Sequence, residues 1–286
     1  MAESVASDDR ASTSEVCDVL EISRSAFYAW KAATNTQREE SDLELTPQVN
    51  TIFRNHRRRY GTRRIVASLA DQGESISRRR VAKIMKNQGL TAIQPKSFKP
   101  RGTESRHRLG YNPNLLLEEP EVKSLNALWV GDITYIPITE IRFGYLAILM
   151  DRFSRYIVGW QLSDDMTESL VLDAIRMAVA NRQPAVDLIH HTDRGGQYAG
   201  KSYRGVLRRA GIKQSMSRAD NCYDNAFVES CFGTLKNELE IDEYKNMRTA
   251  TKQLSEYINY YNVQRKHSSL SYLTPSQFEK NQLSLK

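Results

Sequence analysis

Two segments, VDLIHHTDRGGQY (residues 186–198) and NAFVESCFGTLKNELE (residues 225–240), decide how this chain folds. The first is an apolar run that meets two histidines, Asp193 and a pair of glycines, a pattern that predicts a short buried strand ending in a turn. In the second, apolar residues recur with the 3.6-residue period of an α-helix, which predicts an amphipathic helix. The residues expected to be buried are Val186, Leu188 and Ile189 in the strand, and Phe227, Val228, Cys231, Phe232, Leu235 and Leu239 in the helix.

The side of the predicted helix opposite its apolar stripe carries Glu229, Gly233 and Lys236, which follow i, i+4, i+7 spacing. A glycine between two charged residues leaves room for a large ligand to approach the helix. The alternative is that both charges are ordinary solvated residues, the usual fate of such side chains. Asp193 has an equally ordinary alternative, because aspartate followed by glycine is common turn chemistry.

A third carboxylate, Asp132, lies in LWVGDITYIPI (residues 128–138), a run that is apolar on both faces and therefore predicts a central strand. A charge in a buried strand needs partners, metal ions included, so Asp132 is a candidate functional residue. Asp151 ends the next predicted strand beside Arg152 and Arg155, where an ion pair would satisfy it, so we expect Asp151 to be structural.

The composition is that of a globular protein with a polyanionic partner. The chain has 286 residues and a net charge of +7, yet residues 54–108 contain sixteen Lys and Arg against three Asp and Glu, so the rest of the chain is net acidic. This segregation is expected when one region grips phosphates and another holds carboxylates. Neither a membrane span nor a signal peptide is evident, so we expect a cytoplasmic protein. The three cysteines form neither a CxxC nor a Cys/His pattern, which argues against a zinc site.

The N-terminal third predicts DNA-binding helices. Residues 11–46 contain a small helix-turn-helix-like pattern, whose alternative is a helical hairpin that serves as an adaptor. Residues 47–92 predict a basic helix-turn-helix domain, in which Ser77 caps a helix over residues 78–88. With few acidic residues nearby, we expect its basic face to contact DNA. The candidate DNA-binding residues are Arg63, Arg64, Arg78, Arg79, Arg80, Lys83 and Lys86.

The remaining chain predicts an α/β domain. Residues 93–120 are rich in Pro, Gly, Ser and basic residues and predict a linker, and the catalytic domain is expected over residues 121–286. Three β-rich runs at 128–138, 144–153 and 156–163 predict an antiparallel meander. Helices are predicted at 168–181, 202–210 and 249–262, with a strand at 212–217. Together these elements predict a mixed sheet flanked by helices, preceded by an all-α DNA-binding region. His190 and His191 are consecutive in a strand and must face opposite ways, so they are not expected to form a joint ligand set.

At this point the sequence resembles a known family. GDITY, HTDRGGQY and NCYDNAFVESCFGTLKNE resemble the signature blocks of the insertion-sequence-three family of bacterial transposases, within the DDE transposase and retroviral integrase superfamily. The 35 residues between Asp193 and Glu229, and Lys236 seven positions later, match the family as well. The basic block at 51–92 and the C-terminal YINYYNVQRKHSSLSYLTPSQF are also similar.

The resemblance implies an RNase H-like integrase catalytic core with Asp132, Asp193 and Glu229 as the catalytic carboxylates. These residues would hold two Mg²⁺ ions, for which Mn²⁺ can substitute, and we expect their carboxylates to lie within metal-bridging reach. The implied reaction is hydrolysis at the ends of an insertion sequence, followed by attack of the exposed 3′-hydroxyl on another phosphodiester. Lys236 would contact a phosphate near the cut.

The family also implies partners: double-stranded DNA as terminal inverted repeats and target, further copies of the chain on DNA, and an upstream reading-frame product or its frameshift fusion. Asn225 and Tyr223 would touch flanking bases or cap the helix, and Arg265 and His267 would serve in packing or DNA contact.

Two other functions stay open: a DNA-binding regulator with an inert RNase H-like body, and an RNase H-like nuclease that cuts without joining.

Overall fold

The computed structural model describes residues 12–31, 37–94, 110–117, 122–217, 226–240 and 243–284. The chain divides into two compact units, one up to Thr91 and one from Ala92 onward. Among the described residues, no helix combines the length and the apolar character needed to cross a membrane.

The N-terminal unit is helical. Its helices are α1 (Thr13–Val19), α2 (Arg24–Lys31), α3 (Gln37–Asn55), α4 (Thr62–Asp71) and α5 (Arg78–Asn87).

The predicted cap of α5 is confirmed, because the Ser77 hydroxyl accepts a hydrogen bond from the backbone N–H of Arg80. Helix α3 begins ten residues before Pro47, the first residue of the predicted basic domain, so the proline lies inside the helix. The apolar residues of this unit that are fully buried include Val49, Tyr60, Ile65, Leu69 and Val81.

The C-terminal unit is built on a five-stranded sheet of β1 (Leu128–Ile138), β2 (Arg142–Asp151), β3 (Ile157–Ser163), β4 (Ile189–Thr192) and β5 (Lys213–Met216). The strand order is β3-β2-β1-β4-β5, in which β1, β2 and β3 are antiparallel while β1, β4 and β5 run parallel. The predicted meander and mixed α/β class are therefore confirmed.

Helices cover both faces of the sheet. They are α6 (Glu168–Arg182), α7 (Gly196–Ala199), α8 (Lys201–Arg209), α9 (Ala226–Glu238), α10 (Met247–Val263) and α11 (Pro275–Ser284). One core contains residues of α6 and α8 with Trp129 and Ile133 of β1, and the other contains residues of α9 and α10 with Leu128 and Val130 of β1. Consecutive β1 residues therefore point into opposite cores, as strand alternation requires.

Two details of this unit differ from the sequence-based expectation. Val186 is 74% exposed and lies before β4, because the strand begins only at Ile189. Helix α11 was not predicted, yet its Glu279 accepts hydrogen bonds from the Arg182 guanidinium at 2.7 and 2.8 Å and from the Ser154 hydroxyl at 2.6 Å. The last helix is thus attached to both α6 and the turn between β2 and β3.

Candidate active site

Asp132 lies in the middle of β1, the central strand of the sheet. Because β1 side chains alternate, Asp132 points toward the face that α9 covers. Its neighbour Gly131 lies against His190: a Cβ at position 131 would lie 2.8 Å from the His190 ring. Only glycine fits beside the buried imidazole without displacing it.

Asp193 directly follows β4, which pairs in parallel with β1. Val130 is aligned with His191, so Asp132 and Asp193, each two residues further along, come to neighbouring positions. The Asp193 Oδ1 accepts a hydrogen bond from the Gly195 backbone N–H at 2.9 Å. The predicted turn chemistry is therefore present, and it fixes the carboxylate at the end of the strand.

Glu229 lies on the exposed side of α9. The predicted apolar stripe is confirmed, since Val228, Cys231, Phe232 and Leu235 are buried against the sheet while Phe227 and Leu239 are partly buried. Helix α9 is thus held on the face to which Asp132 points.

The three carboxylates interact electrostatically. The pKa of Asp132 is raised well above its usual value by burial first, and then by the charges of Asp193 and Glu229, against a backbone hydrogen bond from Ile133. Three elements therefore bring negative charge to one place. Within the described ranges, no three His, Cys, Asp or Glu side chains are grouped closely enough to hold a metal ion. The three carboxylates are therefore not within the metal-bridging reach that the sequence analysis expected.

Tyr198 also belongs to this charged cluster. A Cβ at Gly195 would lie 3.0 Å from Asp193 Oδ1 and 3.5 Å from the Tyr198 ring, so the ring lies close to that carboxylate. Burial raises the pKa of Tyr198, and the charges of Asp193 and Asp132 raise it further. The sequence analysis assigned no role to Tyr198, although it ends the HTDRGGQY block.

Lys236 and Gly233 accompany Glu229 on α9 as the spacing predicts. Lys236 is partly buried, and burial lowers its pKa to about 8. No atom lies within 4 Å of the position that a Cβ of Gly233 would take, so the helix surface is open there.

His190 and His191 are both fully buried and, as predicted, engage different neighbours. His191 contacts the hydroxyls of Ser215 and Ser217 through its two ring nitrogens, at 2.8 and 3.1 Å. His190 Nε2 lies 2.6 Å from the Tyr203 hydroxyl, and its Nδ1 lies 3.3 Å from the Trp129 carbonyl. Both histidines are therefore part of the packing beneath Asp193.

We expect His190 to make the protein sensitive to acid. Burial lowers the pKa of His190 to about 3, whereas in the unfolded chain it is about 6.5. Below about pH 6.5 the unfolded state therefore binds a proton that the folded state does not, and stability is lost as the pH falls toward 3. This residue alone should lower the free energy of unfolding by about 1.4 kcal/mol per pH unit over most of that range.

Urea unfolding at several pH values, for the wild type and His190→Gln, measures this contribution. The variant should be less stable at pH 7, because it loses the packing and hydrogen bonds of the imidazole, but its stability should fall less steeply with acid. Equal slopes in the two proteins would show that His190 is not the responsible group.

Asp151 is structural, as expected, but for a different reason. It is completely buried, and its carboxylate accepts hydrogen bonds from the backbone N–H groups of Asn126, Phe153 and Ser154 at 2.6 to 2.9 Å. These hydrogen bonds, rather than an ion pair with a neighbouring arginine, hold the carboxylate in the turn after β2.

Arg265 and His267 follow α10. Arg265 is 5% exposed and forms an ion pair with Glu238 of α9 at 2.8 Å, so it is a packing residue. His267 Nδ1 lies 2.9 Å from the Ser269 hydroxyl, and its ring contacts Tyr261 edge-on. Asn225 and Tyr223 lie outside the described residues.

The basic residues of the N-terminal unit differ in exposure. Arg80 is bound by Asp42 and Ser41 of α3, and Lys83 lies 3.8 Å from the same aspartate. Asp42 comes from 38 residues earlier in the chain, so Arg80, a candidate DNA-binding residue, is engaged within the N-terminal unit. The Arg64 guanidinium donates to the Arg59 carbonyl and is only partly exposed. The exposed residues of the set are Arg63, Arg78, Arg79, Lys83 and Lys86.

Comparison with family models places known domains on the chain. Two family models, both described as an integrase core domain, match this chain, one at residues 123–222 and the other at residues 210–275. An HTH-like domain matches residues 40–98.

Several relatives match over most of the chain. An uncharacterized 31 kDa protein of insertion element IS600 from Shigella sonnei is 38% identical over 92% of this chain and 97% of its own length. The transposase for insertion sequence element IS904 from Lactococcus lactis is 40% identical over 82% of this chain and 93% of its own. Transposase InsF for insertion sequence IS3A from Escherichia coli is 35% identical over 94% of each chain.

Among solved structures, the simian T-cell lymphotropic virus intasome in complex with the PP2A regulatory subunit B56 gamma matches 74% of this chain and 69% of its own with a TM-score of 0.47 and 20% identity.

Proposed function

The chain belongs to the insertion-sequence-three family of bacterial transposases, and we propose that it cuts DNA at the ends of an insertion sequence and joins the exposed 3′-hydroxyls to target DNA. The observation that carries this proposal is the parallel register of β1 and β4, which brings Asp132 and Asp193 to neighbouring positions on the face that the Glu229 helix covers. These carboxylates come from a central strand, the end of its parallel neighbour and the covering helix, and we propose that they are the catalytic residues.

The donor set suits Mg²⁺ or Mn²⁺. All of its ligands are carboxylate oxygens, which hard divalent cations prefer. Burial raises the pKa of Asp132, and repulsion by the charges of Asp193 and Glu229 raises it further. Bound divalent cations would relieve this repulsion. When bound to Asp132, Asp193 and Glu229, the cations would activate the attacking oxygen and stabilise the leaving 3′ oxygen. Glu229 is exposed and long enough to change rotamer toward the other two.

The proposed reaction has two displacements at phosphorus. Water first attacks the phosphodiester at the element end, the bond to the 3′ oxygen breaks, and a 3′-hydroxyl is left. This hydroxyl then attacks a target phosphodiester, forms a new P–O bond and releases a target 3′-hydroxyl. Each step breaks one P–O bond and forms another, so no covalent protein intermediate is needed.

Other residues of α9 would position the DNA. Lys236 shares the exposed side of the helix with Glu229 and would contact a phosphate near the cut. The open surface at Gly233 would allow the strand to approach the helix backbone.

The N-terminal unit is proposed to recognise DNA through the exposed basic residues of α4 and α5. We keep the division into a small helix-turn-helix-like region (11–46), a basic helix-turn-helix domain (47–92), a linker (93–120) and a catalytic domain (121–286) as part of this proposal. The proposed partners are the terminal inverted repeats, target DNA and further copies of the chain. An upstream reading-frame product, or its frameshift fusion, is a further proposed protein partner.

Arg79→Ala and Arg80→Ala should affect DNA binding differently. Arg79 is exposed, so its loss should weaken binding to any duplex and lower the slope of log K against log[salt] by about 1, the effect of one phosphate contact. Arg80 is bound to Asp42, so its loss should lower thermal stability and leave the salt slope almost unchanged. Anisotropy titrations over a salt series measure both slopes, and equal slopes would contradict this assignment.

The test of the proposed function is an assay of cleavage and 3′-end joining on a labelled duplex that carries the element's own ends, with Mg²⁺ present. Joined products support the transposase. Cleavage without joining would instead indicate a nuclease. If the chain binds the DNA without cutting it, the assay is repeated with the frameshift fusion, and continued inactivity would indicate an inert regulator.

A further inference from the structure

A cavity of about 300 Å³ lies beside α9, on the flank of the helix away from Glu229. Its walls include Arg155 from the turn between β2 and β3, Ser230 and Thr234 from α9, and His267 and Ser269 from the segment after α10. None of these residues belongs to the proposed catalytic set of Asp132, Asp193 and Glu229.

The cavity carries positive charge held in a fixed place. The Arg155 and Arg152 guanidinium carbons lie 4.3 and 4.4 Å from the centroid of the Phe227 ring, which also lines the cavity. Burial lowers the pKa of both guanidinium groups, although arginine stays protonated in proteins. Arg155 lines the cavity, Arg152 lies on the same ring, and the charge of buried Asp151 acts on Arg155. A partly desolvated cation in the wall, with a second close by, favours an anionic ligand.

The other polar groups of the cavity suit a phosphate. Hydroxyls at Ser230, Thr234 and Ser269 can donate hydrogen bonds to phosphate oxygens, and guanidinium groups bind phosphate with strong charge-assisted hydrogen bonds. Both guanidinium groups lie over the Phe227 ring, which fixes their position beside the cavity.

The position of the cavity relates it to the triad. At 100° per residue, Gly233 lies about 40° around the α9 axis from Glu229, Ser230 about 100° and Thr234 about 140° in the same direction. Gly233, with open space above it, therefore lies between the carboxylate and the cavity. A DNA strand crossing the helix at Gly233 could reach both.

We propose that this cavity is a phosphate subsite, which binds a phosphodiester of the DNA strand that crosses α9 while a neighbouring phosphodiester lies at the carboxylates. The inference rests on the proposed function, because it requires DNA as the substrate. The phosphodiester comes either from the element end or from the target duplex, and the chemistry of the cavity is the same for both.

The first test is equilibrium binding of the full chain to a duplex that carries the terminal inverted repeat, over a series of salt concentrations. Arg155→Gln and the double variant Ser230→Ala, Thr234→Val should each bind about 5- to 10-fold more weakly, and Arg155→Gln should lower the salt slope by about 1. Arg176→Gln is the matched control, since Arg176 is exposed on α6, away from the cavity, and should bind as the wild type does. If Arg155→Gln does not fold, the double variant decides the test.

The second test replaces single phosphates by neutral methylphosphonates, first in the element end and then in a target duplex. A methylphosphonate at one position should weaken DNA binding by the wild type and leave binding by Arg155→Gln unaffected. The duplex that contains this position identifies the source of the phosphate. Cavity variants with wild-type affinity and salt slope, or no such position in either duplex, would overturn the subsite. If the wild type joins DNA in that case, only the subsite is wrong, whereas a wild type that neither cuts nor joins contradicts the proposed function itself.

Discussion

Glu229→Gln is expected to slow both DNA cleavage and strand joining by about 10³-fold while DNA affinity stays at the wild-type level. The amide keeps the size of the side chain and its exposed place on α9 but removes a charge that acts on Asp132. Because both displacements are proposed to use the same carboxylates, the two rates should fall together. A labelled duplex with the element's ends, and a separate duplex with a pre-cut 3′-hydroxyl, measure the two steps independently.

Glu256→Gln is the matched control for Glu229→Gln. Glu256 is an exposed glutamate of α10, so the same change of charge should leave both steps near the wild-type rate. The double variant Asp132→Asn, Glu229→Gln should be about as slow as either single variant, because residues that act as one unit have strongly non-additive effects. A Glu229→Gln protein that retains either step would remove Glu229 from the catalytic set.

The candidate catalytic residues could be found from the sequence because each breaks or ends a regular pattern. Asp132 interrupts a run that is apolar on both faces, and that run became β1 with the predicted bounds, Leu128–Ile138. Asp193 ends a strand at a glycine turn, and Glu229 lies opposite an apolar stripe. Such patterns are local, so one segment is enough to read them.

The residues that the sequence analysis misread depend on contacts between distant segments. Arg80 looked available for DNA, but the packing of α3 brings Asp42 to it. Asp151 looked suited to an ion pair, but its carboxylate accepts hydrogen bonds from the backbone N–H groups of a turn. No side-chain pattern specifies the shape of that turn. Helix α11 has a weak period, and its place on the unit is fixed by Glu279, 97 residues from its partner Arg182. Pairings of this kind arise only once the chain has folded.

Arg265→Met is expected to lower the free energy of unfolding by about 3–5 kcal/mol, the cost of leaving one member of a buried ion pair without its partner. The Arg265 Nε lies 2.9 Å from both carboxylate oxygens of Glu238, and the Tyr257 hydroxyl donates to the same carboxylate at 3.1 Å. Burial lowers the pKa of Arg265, but the charge and hydrogen bonds of Glu238 outweigh that effect and leave it raised. Thermal unfolding should show a melting temperature lower by about 10 °C.

A double-mutant cycle separates the ion pair from the packing around it. Glu238→Leu should destabilise by a similar amount, because it leaves the Arg265 cation buried, whereas Arg265→Met combined with Glu238→Leu should recover most of the loss. Lys252→Met, at an exposed cation of α10, is the control and should change stability by no more than about 0.5 kcal/mol.

The ion pair also bears on the proposed chemistry, because Glu238 is in the last turn of the helix that carries Glu229. If the Arg265–Glu238 ion pair positions α9, Arg265→Met should lower the rate of strand joining even at temperatures where the variant is fully folded. The double variant should recover part of that rate along with its stability. Additive destabilisation in the cycle would show that Arg265 and Glu238 contribute separately. In that case the apolar stripe of α9 alone would hold Glu229 over the sheet.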